Sequence, residues 1–181
     1  MSLVEEKISG KDVFDGKILH VQKDTVLLPN GKTATREVIR HVGAVGIVPV
    51  TDDGCVVVER QFRYPMNQII TEIPAGKLDS KEENCLEAAK RELREETGYT
   101  ADNWINLGLY FPAAAYSDEV LTIFLATRLH KGERRLDEDE FLEVEEIPIE
   151  TLIQKVMDGE IPDGKTQVGI LKASVFLAGN L

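Results

Sequence analysis

The stretch AAKRELREETGY, Ala88 to Tyr99, sets Glu92, Glu95 and Glu96 among strong helix formers and stops at a glycine. Carboxylates one turn apart on a helix repel each other. The segment therefore either faces water throughout or holds its acids against something positive. Its neighbours make it the second half of a long helix. Ser80 reads as the N-cap and Glu83, three residues on, as the capping-box partner, so the helix is expected from about Lys81 to Thr97. Gly98 stands where a helix-terminating glycine belongs.

An α-helix turns about 100° per residue, so with Glu92 at zero Glu96 lies at about 40° and Glu95 at about 300°. Cys85, Leu86, Ala89 and Leu93 form an apolar stripe beside Glu92 and Glu96, whereas Glu83, Glu87, Lys90 and Arg94 fall on a solvated face. Acids at the rim of an apolar stripe are costly unless they are paired or bind metal. Oxygen ligands on neighbouring turns suit a hard divalent cation, Mg²⁺ or Mn²⁺. A solvated acidic helix with ion pairs of the Arg91–Glu92 kind is the plainer alternative.

Around this helix the chain reads as strands. Thr25–Leu28 and Thr33–Arg40, separated by the turn Pro29-Asn-Gly-Lys32, form a hairpin. Gly43–Val50 is a nearly continuous apolar run, a strand covered on both faces. Cys55–Glu59, Ile69–Ile73, Trp104–Tyr110, Val120–Arg128 and Glu140–Ile147 are further strands. Two helices close the chain, Ile149–Met157 and about Gly164–Ala178, the second capped by Asp163. Strands, a central helix, more strands and terminal helices make a mixed α/β sandwich, with the first 40 or so residues as a separate antiparallel lobe.

Composition excludes several partners. A formal net charge of −11 with no long basic run argues against nucleic acid and anionic membranes. No apolar run approaches the ~20 residues of a membrane span. The start, MSLVEEKISGK, does not read as a signal peptide, so cytoplasm is the default expectation. Cys55 and Cys85 form no CxxC pair and are expected as free thiols, and His20, His41 and His130 lack zinc spacing. An anionic substrate would need a metal cation to mediate.

From Glu83 the sequence runs E-x7-R-E-L-x-E-E-x-G-Y to Tyr99. This resembles the Nudix box, G-x5-E-x7-R-E-U-x-E-E-x-G-U with U bulky and apolar, of enzymes that cut pyrophosphates linked to a nucleoside. Six residues, not five, separate Gly76 from Glu83, which leaves open whether Glu82 or Glu83 is the first glutamate. Leu28-Pro-Asn-Gly-Lys32, Gly43-Ala-Val45, Arg60-Gln-Phe-Arg-Tyr-Pro65, Glu72-Ile-Pro-Ala-Gly-Lys77 and Leu136-Asp-Glu-Asp-Glu140 are similar to the ADP-ribose pyrophosphatase and nucleoside-diphosphate-sugar hydrolase branch. The resemblance implies a Nudix-type α/β/α sandwich with a mixed sheet, residues 41–181, preceded by an N-terminal β lobe, residues 1–40, used for dimerisation and substrate cover.

It further implies Glu92, Glu96 and the carbonyl of Ala75 as metal ligands, Glu95 assisting, and Arg91 holding the glutamates in place. An acidic loop would add Glu140 as a ligand and Glu138 as the base. Arg63 would meet phosphate and Glu72 a ribose hydroxyl or base edge. The implied reaction hydrolyses a nucleoside diphosphate sugar to a nucleoside monophosphate and a sugar phosphate. Divalent ions would neutralise charge and acidify a water, and a carboxylate would take its proton. The partners implied are a nucleotide sugar and a second copy of the chain.

Substrate choice rests on two departures. The loop Phe111-Pro-Ala-Ala-Ala-Tyr-Ser-Asp-Glu119 lacks the Ser-Pro-Gly usual in relatives that cleave ADP-ribose, and Asp163-Gly-Lys165 resembles a D-x-K pattern of broader sugar-nucleotide hydrolases. Asp163 as an ordinary N-cap and Lys165 as a solvent-facing residue are the plain readings. Tyr116 lies at the tyrosine offset of diadenosine-polyphosphate hydrolases and is able to stack on a base. A broad sugar-nucleotide hydrolase is therefore expected. The alternatives are a strict ADP-ribose pyrophosphatase, a diadenosine-polyphosphate hydrolase, a non-catalytic nucleotide-sugar binder and a purely structural α/β protein.

Overall fold

The computed structural model describes residues 2–136 and 141–179. The chain divides into two compact units, one of residues 1–42 with 111–120 and the other of residues 43–110 with 121–181. The segment 111–120, which the sequence reading places in the Nudix domain, thus clusters with the N-terminal residues.

The first unit is a three-stranded antiparallel sheet of β1 (Glu6–Asp15), β2 (His20–Leu27) and β3 (Thr33–Arg40), in the order β1-β2-β3. The β2–β3 hairpin is the expected one, with β2 longer. β1 was not expected at all. All ten of its residues are exposed, so no apolar alternation marks it. Asp24 is its buried anchor, held by Lys7 at 2.8 Å and Arg40 at 2.8 Å.

The second unit is built on a seven-stranded mixed sheet. Its main path runs β10 (Leu142–Pro148), β5 (Cys55–Arg63), β4 (Ala44–Val50), β9 (Leu121–Lys131), β8 (Tyr99–Tyr110). Two short strands sit off this path: β6 (Gln68–Glu72) pairs with β5, and β7 (Ala75–Lys77) with β4. β4 and β9 are parallel and the other pairs antiparallel. Every residue of β4 is buried, as its unbroken apolar run predicts. Successive side chains alternate between faces. Val48 and Val50 enter a core with Val56, Val58, Leu125 and residues of α2 (Ile149–Met157) and α3 (Gly164–Leu177). Val45 and Ile47 turn to the opposite face, and α1 (Cys85–Glu92) packs against β4 and β9.

The central helix departs from expectation at both ends. Its N-cap is Asn84, whose side chain accepts from the N–H of Leu86 and of Glu87, so the helix begins four residues later than expected. Ser80 closes the preceding turn instead, its carbonyl accepting from the N–H of Glu83. Asn is as good a cap as Ser, and a single sequence does not rank the two. At the other end Leu93–Thr97 widens into a π-helix, which stops at Gly98 with φ 78°.

Candidate active site

Glu72 ends β6, and the chain passes through Ile73 and Pro74 into β7 at Ala75. Pro74 carries no N–H. Its carbonyl accepts from the N–H of Ile47, which ties the connector to β4. The Ala75 N–H donates to Glu96 Oε2 at 3.1 Å. Glu96 is 8% exposed and lies in the π-helical turn, so its direction departs from the regular α-helical projection. π-helical turns recur at functional sites because they re-aim side chains within an otherwise regular helix.

Glu92 is closer still to β7. A Cβ added to Gly76 would lie 1.9 Å from Glu92 Cδ, so the carboxylate rests in the space that the missing side chain leaves. Arg91 joins the acids. Its Nη1 donates to Glu92 Oε1 at 2.7 Å and reaches Glu95 Oε2 at 3.5 Å, and its Nη2 reaches Glu83 Oε1 at 3.4 Å. Glu83 also accepts from the Asp79 N–H at 2.6 Å. Glu83, although outside the helix, is thus tied to Arg91 and to the turn at Asp79. Burial by itself would lower the Arg91 pKa, but Glu92, Asp79 and Glu83 outweigh it and hold the guanidinium above its ordinary value.

A second polar group lies at the end of β6. Glu72, 6% exposed, accepts from Arg63 Nε through Oε2 and from Lys165 Nζ through Oε1, each at 2.6 Å. Lys165 also reaches Asp163 Oδ2 at 3.1 Å. Lys165 is therefore largely buried and committed to carboxylates, whereas Asp163 does cap α3, accepting from the Thr166 N–H at 2.9 Å. Glu59 was missed by sequence reasoning. It stands opposite Glu72 across the β5–β6 ladder and is 4% exposed. Its signal was a carboxylate directly after the apolar run Cys55–Val58 and within the same strand.

Tyr116 belongs to the first unit and is exposed, its carbonyl accepting from the Ile39 N–H. Glu138 and Glu140 lie outside the described residues. Among the described residues no three or more His, Cys, Asp or Glu side chains gather around one point. The donors present nonetheless fit a hard divalent cation. Two nearly buried carboxylates converge on the Ala75–Gly76 backbone, and Gly76 leaves the room that one of them occupies.

A NUDIX domain model matches residues 40–166. The chain belongs to the Nudix family. Residues 5–39 match a second model, the nucleoside diphosphate sugar hydrolase N-terminal domain. This Nudix hydrolase is 42% identical to the ADP-ribose pyrophosphatase of Bacillus subtilis (strain 168) over 171 residues, 93% of this chain and 92% of the relative. It is 38% identical to the methanol dehydrogenase activator of Bacillus methanolicus over the same shares of the two chains. A solved structure of an ADP compounds hydrolase superposes with a TM-score of 0.88, covering 99% of this chain and 98% of the other. At 23% identity that likeness shows the Nudix fold. Nudix hydrolases generally require a divalent metal. No helix among the described residues is long and apolar enough to cross a membrane.

Proposed function

We propose that this Nudix hydrolase cleaves the pyrophosphate bond of nucleoside diphosphate sugars, ADP-ribose included, to a nucleoside monophosphate and a sugar phosphate. The observation that carries the reading is the convergence of Glu92 and Glu96 on the Ala75–Gly76 backbone, with the Arg63–Glu72–Lys165 group at the other end of the same connector. The match of residues 5–39 to the N-terminal domain of nucleoside diphosphate sugar hydrolases supports the substrate class. The name of the Bacillus subtilis relative supports ADP-ribose among the substrates.

Glu92, Glu96 and the Ala75 carbonyl would hold the cation, Mg²⁺ or Mn²⁺, with Glu140 as a further ligand. When bound, such an ion neutralises diphosphate charge and makes a water acidic enough to supply the nucleophile. Arg91 fixes Glu92 and Glu95 in the orientation that lets them share positive charge. Glu138 is the base in this reading, with Glu95 assisting. Arg63 and Lys165, both aligned by Glu72, present two cationic heads with little freedom left to lose when a phosphate or sugar hydroxyl arrives. Asp163 contributes by steadying Lys165.

In this reading residues 1–40 are the dimerisation and substrate-covering lobe. β1 is an edge strand whose ten residues are all exposed, Ile8, Val13 and Phe14 among them, and such an edge calls for a cover. A second copy of the chain supplies it. Free Cys55 and Cys85 support a reducing compartment, the cytoplasm.

The test is a panel of ADP-ribose, ADP-glucose, GDP-mannose and diadenosine tetraphosphate with Mg²⁺ or Mn²⁺, products identified by mass spectrometry. Nucleoside monophosphate from several sugars is expected. Turnover of ADP-ribose alone would narrow the reading to the strict enzyme, and no turnover with either metal would end it.

A further inference from the structure

The connector between β6 and β7 has two N–H groups at its service, those of Ile73 and Ala75, because Pro74 has none. Both end on side chains. Ala75 donates to Glu96, and Ile73 donates to Thr166 Oγ1 at 2.9 Å across 93 positions of sequence. Thr166 is fully buried. A threonine hydroxyl has one proton, and here it goes to Asp163 Oδ2 at 2.6 Å. That fixes the direction of the rotor, so the lone pair facing Ile73 is always ready to accept. Asp163 Oδ2 also takes the Thr166 N–H and Lys165 Nζ, so the α3 cap, the lysine and the hydroxyl share one oxygen.

We propose that Thr166 is a positioning residue for catalysis, a pin through which the capped end of α3 fixes the Ile73–Ala75 connector and so sets where Ala75 meets Glu96. Thr166 reaches neither substrate nor metal in this reading, which rests on the metal site proposed above. Its effect runs through backbone placement. The Pro74 carbonyl is already held by Ile47, so freeing the Ile73 N–H leaves the connector a pivot about that bond and lets Ala75 drift from the glutamate. A buried N–H without an acceptor is also costly, which favours the drift.

The test compares Thr166→Val, which keeps the shape and removes the hydroxyl, with Thr166→Ser, which keeps the hydroxyl. Mn²⁺ binding is read by electron paramagnetic resonance without substrate, and kcat and KM are read on ADP-ribose. For T166V the Mn²⁺ dissociation constant should rise about ten-fold and kcat should fall by about as much, the scale of lost outer-shell support, with KM little changed. T166S should restore both. If T166V does not fold, Thr166→Cys, whose thiol is a poor partner, takes its place with the same expectation. Wild-type Mn²⁺ affinity and kcat in the hydroxyl-free variant would overturn the pin, as would a serine variant as impaired as the valine one. Absence of Mn²⁺ binding by the wild-type chain would instead sink the metal site itself, and the pin with it.

Discussion

The carboxylate of Glu92 occupies the place where a side chain at Gly76 would be, its Cδ lying 1.9 Å from the position of the absent Cβ. The box glycine and the box glutamate are thus one steric unit, sixteen residues apart in the chain. Adding a methyl group at position 76 moves the carboxylate, the strand or both.

Gly76→Ala is accordingly expected to weaken metal binding more than it weakens the fold. Overpacking of this kind costs about 1–3 kcal/mol. Mn²⁺ titration beside thermal unfolding separates the two effects. Unchanged Mn²⁺ affinity in a folded G76A protein would mean that Glu92 does not serve from this position.

Glu96→Gln keeps the size and the acceptor for the Ala75 N–H but removes the charge. The fold should persist, and turnover at saturating Mg²⁺ should fall by roughly a hundred-fold or more, as expected when a charge partner of the reacting centre is lost. Circular dichroism and kcat measured together decide it. Near-normal rates would exclude Glu96 as a ligand.

Arg91→Lys retains charge but loses the planar fork that spans Glu83, Glu92 and Glu95. Without metal the variant should unfold about 2–4 °C lower per kcal/mol lost. Saturating Mg²⁺ should recover much of that difference, because a cation between the glutamates relieves the same repulsion. Melting curves with and without Mg²⁺ are the measurement, and a deficit unaffected by Mg²⁺ would refute the shared role.

Tyr99 supplies a pH dependence apart from catalysis. Burial, together with its hydrogen bond to Glu146, pushes its phenol up to about 12 from 10.0. The fold therefore favours the neutral phenol. The stability this contributes is fully present below pH 10 and is lost as pH rises toward 12. Denaturant unfolding across that range should show a steeper decline in the wild-type protein than in Tyr99→Phe. Parallel declines would contradict it.

Much of this was legible in local sequence. Gly98 ends the helical segment, Asp163 caps α3, α2 spans Ile149–Met157 and β4 is buried throughout, because caps, stops and apolar runs act within a few residues of where they stand. Helical periodicity sets Glu92 beside the apolar stripe, whereas the π-helical turn that re-aims Glu96 has no mark in the sequence pattern. Where the helix starts did not follow, since Ser80 and Asn84 are both able caps and packing chose the second.

Chain chemistry alone supplied the kind of groups, carboxylates beside a glycine, that gather at the candidate site. Tertiary structure decided which of them meet. Glu72 takes Arg63 from nine residues away and Lys165 from ninety-three, and the Thr166 hydroxyl finds Ile73 at the same long range. Such pairings carry no periodic trace, because a hydrogen bond depends on a separation of about 3 Å that only the folded backbone sets. β1 escaped notice for the complementary reason. All ten of its residues are exposed, so no apolar alternation marks it as a strand.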